Sequence, residues 1–470
     1  MSAAPHGGSP RILPLPYLPD PLAALAAVAD LPWPMLLDGA GGRYDVVVAD
    51  PVCTVVTRGA VTEVARRGGA VHHTEAHPLE GLRAALGPLR PAPVPYAGGA
   101  LGYLSYELGH RFEATGVASG AGAGWPEMAF GIYAWALVTD HHRRRSYLAL
   151  RPGMGSDGWA RLVERLRDGD RAWPRPAPAA AFSATGVLRT SLDRRAYARA
   201  FDRVAAYIRE GDCYQVNLTL GFEVPVEGDP LSAYAWLRRR SPAPWGAFLG
   251  LPWGTVLSNS PEGFLTLEGG HVITRPIKGT RPRRGHPAAD RAQIEALRAS
   301  AKDRAENVMI VDLLRNDLGR VCRPGSVRVP HLCRVQTYAN VHHLVSSVTG
   351  TLAPGRDALD LLRACFPGGS ITGAPKRRAM QIIAELEPWP RGVYCGAIGW
   401  LGFDGDMSLN IAIRTAVHQP AGGGAILRFG AGGGIVADSQ CDREYAECYD
   451  KASILLRLAG RPHPAASDPA

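Results

Sequence analysis

The chain has 470 residues, of which 46% are hydrophobic and 20% are charged, and its formal net charge is +9. This length corresponds to two or three domains of about 100–200 residues each, and the composition is that of a globular protein with a large core. No stretch reaches the roughly 18 consecutive apolar residues of a membrane span. The excess charge is dispersed arginine without a helix-turn-helix, RNP or zinc-finger pattern, so nucleic-acid binding is not expected.

The N-terminal segment is rich in Pro, Gly and Ala, and we expect residues 1–16 to form a disordered arm. It lacks the basic segment, apolar core and cleavage site of a signal peptide. The eight cysteines are scattered without a C-x-x-C pair, so neither a disulfide framework nor a zinc site is indicated. The cytoplasm is therefore the expected compartment.

The first region, residues 17–171, alternates short apolar runs with Gly/Pro turns and is predicted to be mostly β. Its strands are predicted at residues 34–37, 44–48, 53–56, 131–139 and 146–150. A helix is predicted at residues 158–166, and the Pro/Ala-rich residues 172–188 are predicted to be a linker. A G-x-G-x-x-G pattern at residues 153–158 is interpreted as a loop, because this linker follows where a second parallel strand is required.

The second region, residues 189–460, mixes strands and helices, and a tail over residues 461–470 follows it. Helices are predicted at residues 193–210, 287–318, 358–364, 375–386 and 442–458. Strands are predicted at residues 213–220, 246–249, 255–258, 264–267, 272–277, 327–329, 343–349, 395–403, 408–417 and 426–431. Runs of strands with intervening helices indicate an α+β protein with antiparallel sheets.

One lysine, Lys278, stands at the end of an apolar strand beside Gly279, and residues 275–283 around it contain several arginines. Free lysine has a pKa of about 10.4, so its amine is a nucleophile near neutral pH only where burial or nearby cations depress that value. An amine in such a setting can attack a small anionic substrate. A solvated charge at a strand end is the alternative that spacing alone leaves open.

The residues before Lys278 predict a hairpin that brings a carboxylate to it. A Gly-Gly pair follows Glu268 and suits a tight two-residue turn. In that register Lys278 falls opposite Pro261 and next to Glu262, unless a bulge at Pro276 shifts the pairing. Glu262 is then within reach to exchange protons with Lys278 or with a leaving group. A surface ion pair is the alternative.

Two predicted helices carry carboxylates three residues apart, so each pair shares one helix face. The pairs are Asp303 with Glu306 and Glu444 with Glu447, and Lys451 lies one turn beyond the second pair. If the two faces meet, they form an oxygen-rich site that suits Mg²⁺ together with water and an anionic ligand. Solvated helix faces are the alternative.

Arg414 belongs to the predicted strand 408–417, where alternation places it on the same face as Ala412 and Ala416. An arginine on a buried face needs an anion, and its planar fork suits a carboxylate bidentately. That anion is either a structural Asp or Glu or a substrate.

Glycine clusters at residues 366–376 and 430–435 are not P-loops, because Ala-Pro-Lys follows Gly373 where Gly-Lys-Ser/Thr is required. They favour close approach of backbone N–H groups to a carboxylate, and Pro375 suits the N1 position of a helix. No G-x-C-x-G, G-x-S-x-G or H-E-x-x-H pattern occurs. Thiol amidohydrolase, serine hydrolase and zinc protease chemistry therefore lack support.

Taken in order along the chain, these segments resemble the chorismate-utilising enzyme family. The matching segments of the second region are residues 211–218, 276–280, 303–320, 341–344, 366–376 and 432–451. Residues 31–38, 98–111 and 128–138 extend the likeness into the first region. The resemblance implies an anthranilate synthase component I-like fold, in which antiparallel sheets form a layered, sandwich-like core with helices packed outside.

The residue after Pro276 and Ile277 separates the branches of this family. Anthranilate synthases resemble one another in having alanine there, whereas lysine, here Lys278, marks the branch that aminates chorismate at C4. Isochorismate and salicylate synthases place a water-activating lysine where this chain has Gln215, whose amide cannot act as that base. The resemblance therefore implies synthesis of 4-amino-4-deoxychorismate, for 4-aminobenzoate and folate or for specialised aromatic amines. Anthranilate or 2-amino-2-deoxyisochorismate synthesis is the alternative.

The resemblance also implies a role for each site residue. The implied catalytic residues are Lys278, Glu262 and His343. The implied substrate contacts are Gln215, Thr280, Tyr394, Arg414, Gly432 and Lys451. The implied Mg²⁺ ligands are Glu306, Glu444, Glu447 and Asp303. Lys278 is expected to attack C2 while the C4 hydroxyl leaves with a proton from Glu262 or His343, after which ammonia adds at C4 and expels the lysine. The ammonia is expected from a separate glutamine amidotransferase subunit, because the chain has no glutaminase machinery.

The first region resembles the part that binds tryptophan in feedback-inhibited relatives. Residues 36–39 read Leu-Leu-Asp-Gly and residues 241–245 read Ser-Pro-Ala-Pro-Trp, which depart from the Leu-Leu-Glu-Ser and Asn-Pro-Ser-Pro-Tyr of those relatives. Amino-acid feedback is therefore not expected, while occupancy of the pocket is left open.

Overall fold

Two large antiparallel sheets organise the chain, whose computed structural model describes residues 9–39, 42–117, 124–151, 160–166, 182–338 and 341–461. Helices connect the strands, and the prediction of an α+β protein with layered antiparallel sheets is confirmed. No helix within these ranges is long and apolar enough to cross a bilayer. The loop predicted at residues 153–158 lies outside the described residues.

The first sheet contains thirteen strands of the described residues. Numbered in chain order, they are β1 Arg11–Leu15, β2 Met35–Asp38, β3 Tyr44–Val48, β9 Trp135–Asp140, β10 Arg145–Leu150, β11 Phe182–Ala184, β12 Arg189–Thr190, β13 Gln215–Gly228, β14 Trp245–Leu251, β15 Gly254–Ser260, β21 Gly373–Ala374, β24 Thr415–Ala421 and β25 Gly424–Ile435. Neighbouring strands follow the order β1-β10-β9-β3-β2-β14-β15-β24-β25-β13-β11, and β12 and β21 also pair with β13.

The second sheet contains twelve strands of the described residues. They are β4 Cys53–Arg58, β5 Val61–Arg66, β6 Val71–Thr74, β7 Gly99–Leu104, β8 Met128–Tyr133, β16 Gly263–Glu268, β17 His271–Thr274, β18 Ile277–Pro282, β19 Arg328–Thr337, β20 Val341–Thr351, β22 Ala397–Gly402 and β23 Met407–Ile411. Their order is β18-β20-β17-β16-β23-β22-β7-β8-β4-β5-β6, and β19 also pairs with β20.

The helices contribute apolar faces to the core of the protein. They are α1 Pro21–Ala27, α2 Pro78–Leu86, α3 Gly109–Phe112, α4 Arg194–Arg209, α5 Pro230–Arg240, α6 Pro287–Ala299, α7 Ala301–Gly319, α8 Ala358–Cys365, α9 Lys376–Leu386 and α10 Cys441–Leu458, and residues 160–166 are also helical. Helix α7 packs against β18, β19 and β20, and α10 packs against β25. These contacts place α7 beside the strand that carries Lys278 and α10 beside the glycine-rich strand β25.

Strands from both regions of the sequence join both sheets. In the first sheet β2 pairs with β14, with Leu36 opposite Phe248. In the second sheet β7 pairs with β22, with Gly102 opposite Gly399. Buried side chains of both regions therefore share one core, and the predicted domain boundaries stay a prediction of the sequence.

Three predicted elements are divided in the structure. The predicted helix 287–318 is two helices, because Ser300 leaves helical geometry and its side chain accepts the Asp303 N–H as a cap of α7. The predicted strand 408–417 is β23 and β24 in different sheets, since the chain crosses between the sheets where Arg414 takes a φ of +50°. The predicted strand 131–139 likewise divides into β8 and β9, which belong to different sheets.

Two predictions at element ends are also corrected. The expected arm over residues 1–16 includes Arg11–Leu15, which form β1 because they pair along their whole length with β10. Pro375 is the N-cap and not the predicted N1 residue, because its backbone is extended with a ψ of 139° and α9 begins at Lys376.

Candidate active site

The strand that carries Lys278 has a different neighbour from the one predicted. The tight turn after Glu268 is confirmed, because Glu268 pairs with His271 across it. The hairpin register does not continue to Pro261, however, because β17 and β18 both pair with β20, and Lys278 lies opposite Leu344. A long-range partner strand therefore positions the lysine.

The amine of Lys278 lies among carboxylates and a second amine. Its Nζ is 3.4 Å from the carbonyl oxygen of Ser370. Burial lowers the pKa of Lys278, and the charge of Lys451 lowers it further. The negative charges of Glu306 and Glu262 raise the pKa of Lys278 and oppose this effect. A larger fraction of the amine is therefore neutral than for a lysine in water, which supports a nucleophile over a solvated strand end.

Glu262 follows the end of β15 and is 5% exposed. The N–H of Ile277 donates to its Oε1 at 3.4 Å, which places the carboxyl beside the start of β18. Burial raises the pKa of Glu262, whereas the charge of Lys278 and the nearby Ser370 hydroxyl act to lower it. A carboxyl with a raised pKa can hold a proton near neutral pH and donate it.

His343 lies on β20 and is 5% exposed. Its Nδ1 is 2.9 Å from the hydroxyl oxygen of Thr280, and the ring of Tyr338 packs against it edge-on at 5.4 Å between centroids. Burial and the charge of Arg414 lower the pKa of His343 to about 4. The imidazole is therefore neutral at pH 7, which suits hydrogen bonding to a substrate better than donation of a proton.

Arg414 carries a half-buried positive charge at the crossover between the sheets. Among the described residues its guanidinium has neither a hydrogen-bond partner nor an ion-pair partner, and desolvation lowers its pKa. Tyr394, which is buried, packs its ring against Gly430, where any side chain would collide with the ring. A desolvated guanidinium without a structural acid favours an anionic ligand over the alternative that the sequence left open.

The carboxylates of α7 and α10 converge on a common space. The ammonium of Lys302 is 3.9 Å from Oε1 of Glu306 and 3.4 Å from Oε1 of Glu444, so one cation contacts both helices. The hydroxyl of Ser439 donates to Glu444 at 2.6 Å. Burial raises the pKa of Glu306, whereas that of Glu447 is lowered because the nearby Lys451 outweighs burial.

These carboxylates fit Mg²⁺ by their chemistry. All their donor atoms are oxygens, which Mg²⁺ prefers. Gly433 leaves the space beside them open, since a Cβ there would lie 3.0 Å from Oε2 of Glu444 and 3.6 Å from Oε1 of Glu447. Lys302 already places a cation between Glu306 and Glu444. No three Asp, Glu, His or Cys side chains in the described part of the chain are preassembled around one point, so ligation requires these side chains to move closer together.

Asp303, the fourth predicted ligand, has a different environment. Its carboxylate forms an ion pair with Arg281 at 3.0 Å. It also lies against Gly279, where a Cβ would be 2.8 Å from its carboxyl carbon and where the φ of +77° favours glycine. Asp303 thus braces the bulge that follows Lys278.

The remaining predicted contacts line the same space from β13, β25 and α10. Lys451 donates to the carbonyl oxygen of Gly432 at 2.8 Å and pairs with Glu447 at 2.7 Å. Gln215 is fully buried, and neither its amide oxygen nor its amide nitrogen has a hydrogen-bond partner within the described residues. It lies against Gly434, where any side chain would collide with the amide. An unsatisfied buried amide is a ready contact for a polar ligand.

Two supporting groups were missed in the sequence. Ser370 supplies the carbonyl nearest to Lys278, within the turn Gly369–Ile371. Arg391 holds that turn, because it donates to the carbonyl oxygens of Ile371 at 2.7 Å and of Asn217 at 2.6 Å while it pairs with Glu387 at 2.7 Å. Ser370 lies within the glycine-rich segment 366–376, which signalled a close backbone approach but not this contact, whereas Arg391 stands in none of the patterns that the sequence offered.

A separate cavity of about 870 Å³ lies between the sheets and is lined by residues of both regions. Asp38 is among its lining residues, and its carboxylate is bound by Arg238 at 2.6 Å and by the hydroxyl of Tyr234 at 3.1 Å. Burial raises the pKa of Asp38 to about 6, and the nearby Asp45 adds to this effect. The expectation about amino-acid feedback concerns this cavity and stays a prediction.

A family model described as chorismate binding enzyme matches residues 34–457. The chain belongs to this family of chorismate-binding enzymes. This chorismate-binding enzyme is similar to aminodeoxychorismate synthase component 1 of Salmonella typhimurium, with 45% identity over 459 residues that cover 95% of this chain and 98% of the relative. The Escherichia coli protein of the same name is 44% identical and covers 92% of this chain and 94% of its own length.

Relatives from another branch are also similar to this chorismate-binding enzyme. Anthranilate synthase component 1 of Streptomyces coelicolor is 41% identical over 469 residues, which cover 96% of this chain and 89% of the relative. The crystal structure of anthranilate synthase component I from Streptococcus pneumoniae has a TM-score of 0.76 and 29% identity, and covers 88% of this chain and 92% of that chain. Overall similarity therefore establishes the family and the fold, and individual residues must separate the branches.

Proposed function

We propose that this chain is component I of an aminodeoxychorismate synthase and that it converts chorismate and ammonia to 4-amino-4-deoxychorismate. The observation that carries the proposal is Lys278, whose amine has a lowered pKa and lies beside Glu262 in a site with a desolvated candidate anion receptor, Arg414. Relatives with this activity in their names are 44–46% identical to the chain. Anthranilate synthesis, the alternative, adds ammonia directly at C2 and has no use for such an amine.

The reaction consists of two displacements, each with a shift of the ring double bonds. The neutral amine of Lys278 forms a C–N bond at C2, the double bonds move, and the C4–O bond breaks. Glu262 supplies the proton with which the hydroxyl leaves as water. Ammonia then forms a C–N bond at C4, the double bonds move back, the bond from C2 to Lys278 breaks, and the lysine leaves as a neutral amine. One proton of the new C4 ammonium returns to Glu262, which restores the acid for the next turnover.

The direction of the pKa shifts assigns the proton donor. A group that donates a proton near pH 7 must be protonated there, and burial raises the pKa of Glu262 toward that range. The pKa of His343 is about 4, so its imidazole has already lost the acidic proton. We assign His343 to a hydrogen bond with the departing hydroxyl or the ring, oriented by Thr280.

Substrate binding depends on carboxylate recognition at two ends. Arg414 and Tyr394 would bind the enolpyruvyl carboxylate, with the guanidinium as a bidentate partner. Glu306, Glu444 and Glu447 would hold Mg²⁺ near the ring carboxylate, with Asp303 as the fourth predicted ligand. When bound, the metal ion would supply a positive charge that withdraws electrons from the ring. Gln215, Thr280, Gly432 and Lys451 would complete the pocket.

Ammonia would come from a separate glutamine amidotransferase subunit. The label "component 1" of the relatives implies a second component, and no glutaminase nucleophile motif occurs in the sequence. A cytoplasmic location also belongs to the proposal, and the eight free cysteines support it. The product would serve 4-aminobenzoate and folate synthesis or a specialised aromatic-amine route.

The deciding experiment identifies the aromatic product. The protein is incubated with chorismate, Mg²⁺ and ammonium, an aminodeoxychorismate lyase is added, and the products are separated by chromatography. We expect 4-aminobenzoate, and anthranilate in its place would reject the proposal.

A second readout tests the covalent step. With chorismate and without ammonium, intact-mass analysis should detect a chorismate-derived adduct that peptide mapping assigns to Lys278. Lys278→Ala should lose both adduct and product. Lys278→Arg keeps the positive charge, but a guanidinium is protonated at every usable pH and cannot attack, so it should fail equally. An adduct that persists in either variant would show that another group is the nucleophile.

A further inference from the structure

Lysine is rare in this chain, and three of its four lysines lie at the candidate active site. Only four of the 52 lysines and arginines are lysines. These are Lys278, the predicted nucleophile, together with Lys302, Lys376 and Lys451. Arginine and lysine differ, because an ammonium is a compact point charge and a guanidinium is a planar fork. Because the other basic residues are arginines, we ask for each lysine which contact requires an ammonium.

Two of the other lysines are explained by their contacts. Lys376 is almost fully buried, with its Nζ 2.7 Å from Asp317 and 2.8 Å from the carbonyl oxygen of Cys365. Lys451 is tied at 2.7 Å to Glu447 and at 2.8 Å to Gly432. Both are fixed by short contacts within the frame of the site.

Lys302 is held differently. It makes two long ion pairs, at 3.9 Å to Glu306 and at 3.4 Å to Glu444, and its side chain is 47% exposed. It lies in the first turn of α7, just after the cap residue Ser300, so its side chain can swing into solvent without disturbing the helix. The two carboxylates, by contrast, are 14% and 5% exposed.

We propose that Lys302 is a tethered counter-ion that occupies the metal position between Glu306 and Glu444 in the metal-free protein and leaves it when Mg²⁺ binds. The inference rests on the proposed function, because it takes these glutamates as Mg²⁺ ligands. Two carboxylates with little access to water repel each other unless a cation lies between them. Lys302 supplies that cation and keeps the two helices together until the metal arrives.

The arrangement makes Mg²⁺ and Lys302 alternatives at one place. The ammonium contacts Oε1 of Glu306 and Oε1 of Glu444, and the latter atom also accepts the hydroxyl of Ser439. Binding of Mg²⁺ therefore has to break both ion pairs, and their free energy is subtracted from the affinity. An exposed amine with two long contacts is displaced at small cost, whereas the buried Lys376 could not be.

The test replaces Lys302 by methionine, which keeps the aliphatic stem and removes the charge. Isothermal titration with Mg²⁺, without chorismate, should show binding about tenfold tighter than in the wild type, equivalent to about 1.4 kcal/mol. In EDTA the melting temperature of Lys302→Met should fall below that of the wild type, because the carboxylates lose their counter-ion. In saturating Mg²⁺ the difference should disappear.

Two further variants separate displacement from a general charge effect. Arg304→Met removes an equivalent charge from the opposite face of α7 and should leave the Mg²⁺ affinity near that of the wild type. Lys302→Arg keeps a positive charge beside both carboxylates, so its Mg²⁺ affinity should not rise as that of Lys302→Met does. Mg²⁺ binding that is detectable only in Lys302→Met would support the proposal in its strongest form.

The outcomes that overturn the inference differ from those that overturn the function. If Lys302→Met and Arg304→Met change Mg²⁺ affinity equally, or if the melting difference persists in Mg²⁺, Lys302 is not displaced by the metal. If neither the wild type nor Lys302→Met binds Mg²⁺ while 4-aminobenzoate still forms, the metal site and this inference fail together. Anthranilate as the product rejects the proposed function alone, whatever the titrations show.

Discussion

Replacing Glu262 by glutamine separates the two candidates for protonating the departing hydroxyl. The side chain is 5% exposed and its Oε1 accepts the Ile277 N–H. A glutamine of the same shape keeps that acceptor and leaves no cavity, so the fold should persist. It cannot donate an acidic proton, however. We expect kcat to fall about 10²- to 10⁴-fold, the usual contribution of a general acid, which equals about 3–5 kcal/mol of activation free energy.

The pH profile gives the sharper readout. Activity of the wild type requires a neutral Lys278 and a protonated Glu262. The neutral fraction of Lys278 increases as the pH rises through its lowered pKa, and the protonated fraction of Glu262 decreases as the pH rises through its raised pKa. The profile should therefore be bell-shaped, with limbs that belong to the coupled pair. In Glu262→Gln the alkaline limb should vanish. The acid limb should move to lower pH, because the carboxylate no longer raises the pKa of Lys278.

The assay measures initial rates of 4-aminobenzoate formation with excess lyase, at saturating Mg²⁺ and constant free ammonia across the pH range. His343→Gln is the matched control, since a group with a pKa of about 4 is neutral over that range and cannot produce the alkaline limb. Its rate should be lower at every pH, but the alkaline limb should remain. An alkaline limb that persists in Glu262→Gln and vanishes in His343→Gln would refute the assignment.

Two further substitutions test the frame of the site. Arg414→Lys should raise the KM for chorismate about 10- to 100-fold, because a single ammonium contact replaces a bidentate pair; unchanged KM in steady-state kinetics would contradict the proposed carboxylate receptor. Arg391→Met leaves the buried Glu387 without its partner and should lower the free energy of unfolding in urea by about 3–5 kcal/mol. The exposed Arg209→Met should change it by less than about 0.5 kcal/mol, and equal midpoints for the two variants would contradict the structural role of Arg391.

The parts of the fold that depend on short-range chemistry could be predicted from the sequence. The Gly-Gly turn after Glu268 and the helix over Arg194–Arg209 follow from turn residues, capping and periodicity within a few positions. The family could be recognised because its motifs occur in order along the chain. The choice of Lys278 as the deciding residue needed only its place after Pro276 and Ile277.

The elements that the sequence misplaced are those whose course depends on distant segments. Residues 408–417 alternate like one strand, but the first part of the segment pairs in the second sheet and the last part pairs in the first sheet. Arg414 lies where the chain passes from one sheet to the other. Residues 287–318 have one continuous helical period, and the break at Ser300 is visible only as a cap of α7. Periodicity describes a side chain's local direction and does not specify which sheet receives it.

The chemistry of the site was also decided by tertiary structure. Sequence alone could name Lys278, but its lowered pKa arises from burial and from the charge of Lys451, which together outweigh the opposing carboxylates of other segments. The same holds for Glu262 and His343, whose pKa values move in opposite directions because of their surroundings. Lys302 has a role only because α7 and α10 approach each other. Residue types and their order are written along the chain, whereas desolvation and charge proximity exist only once distant segments are brought together.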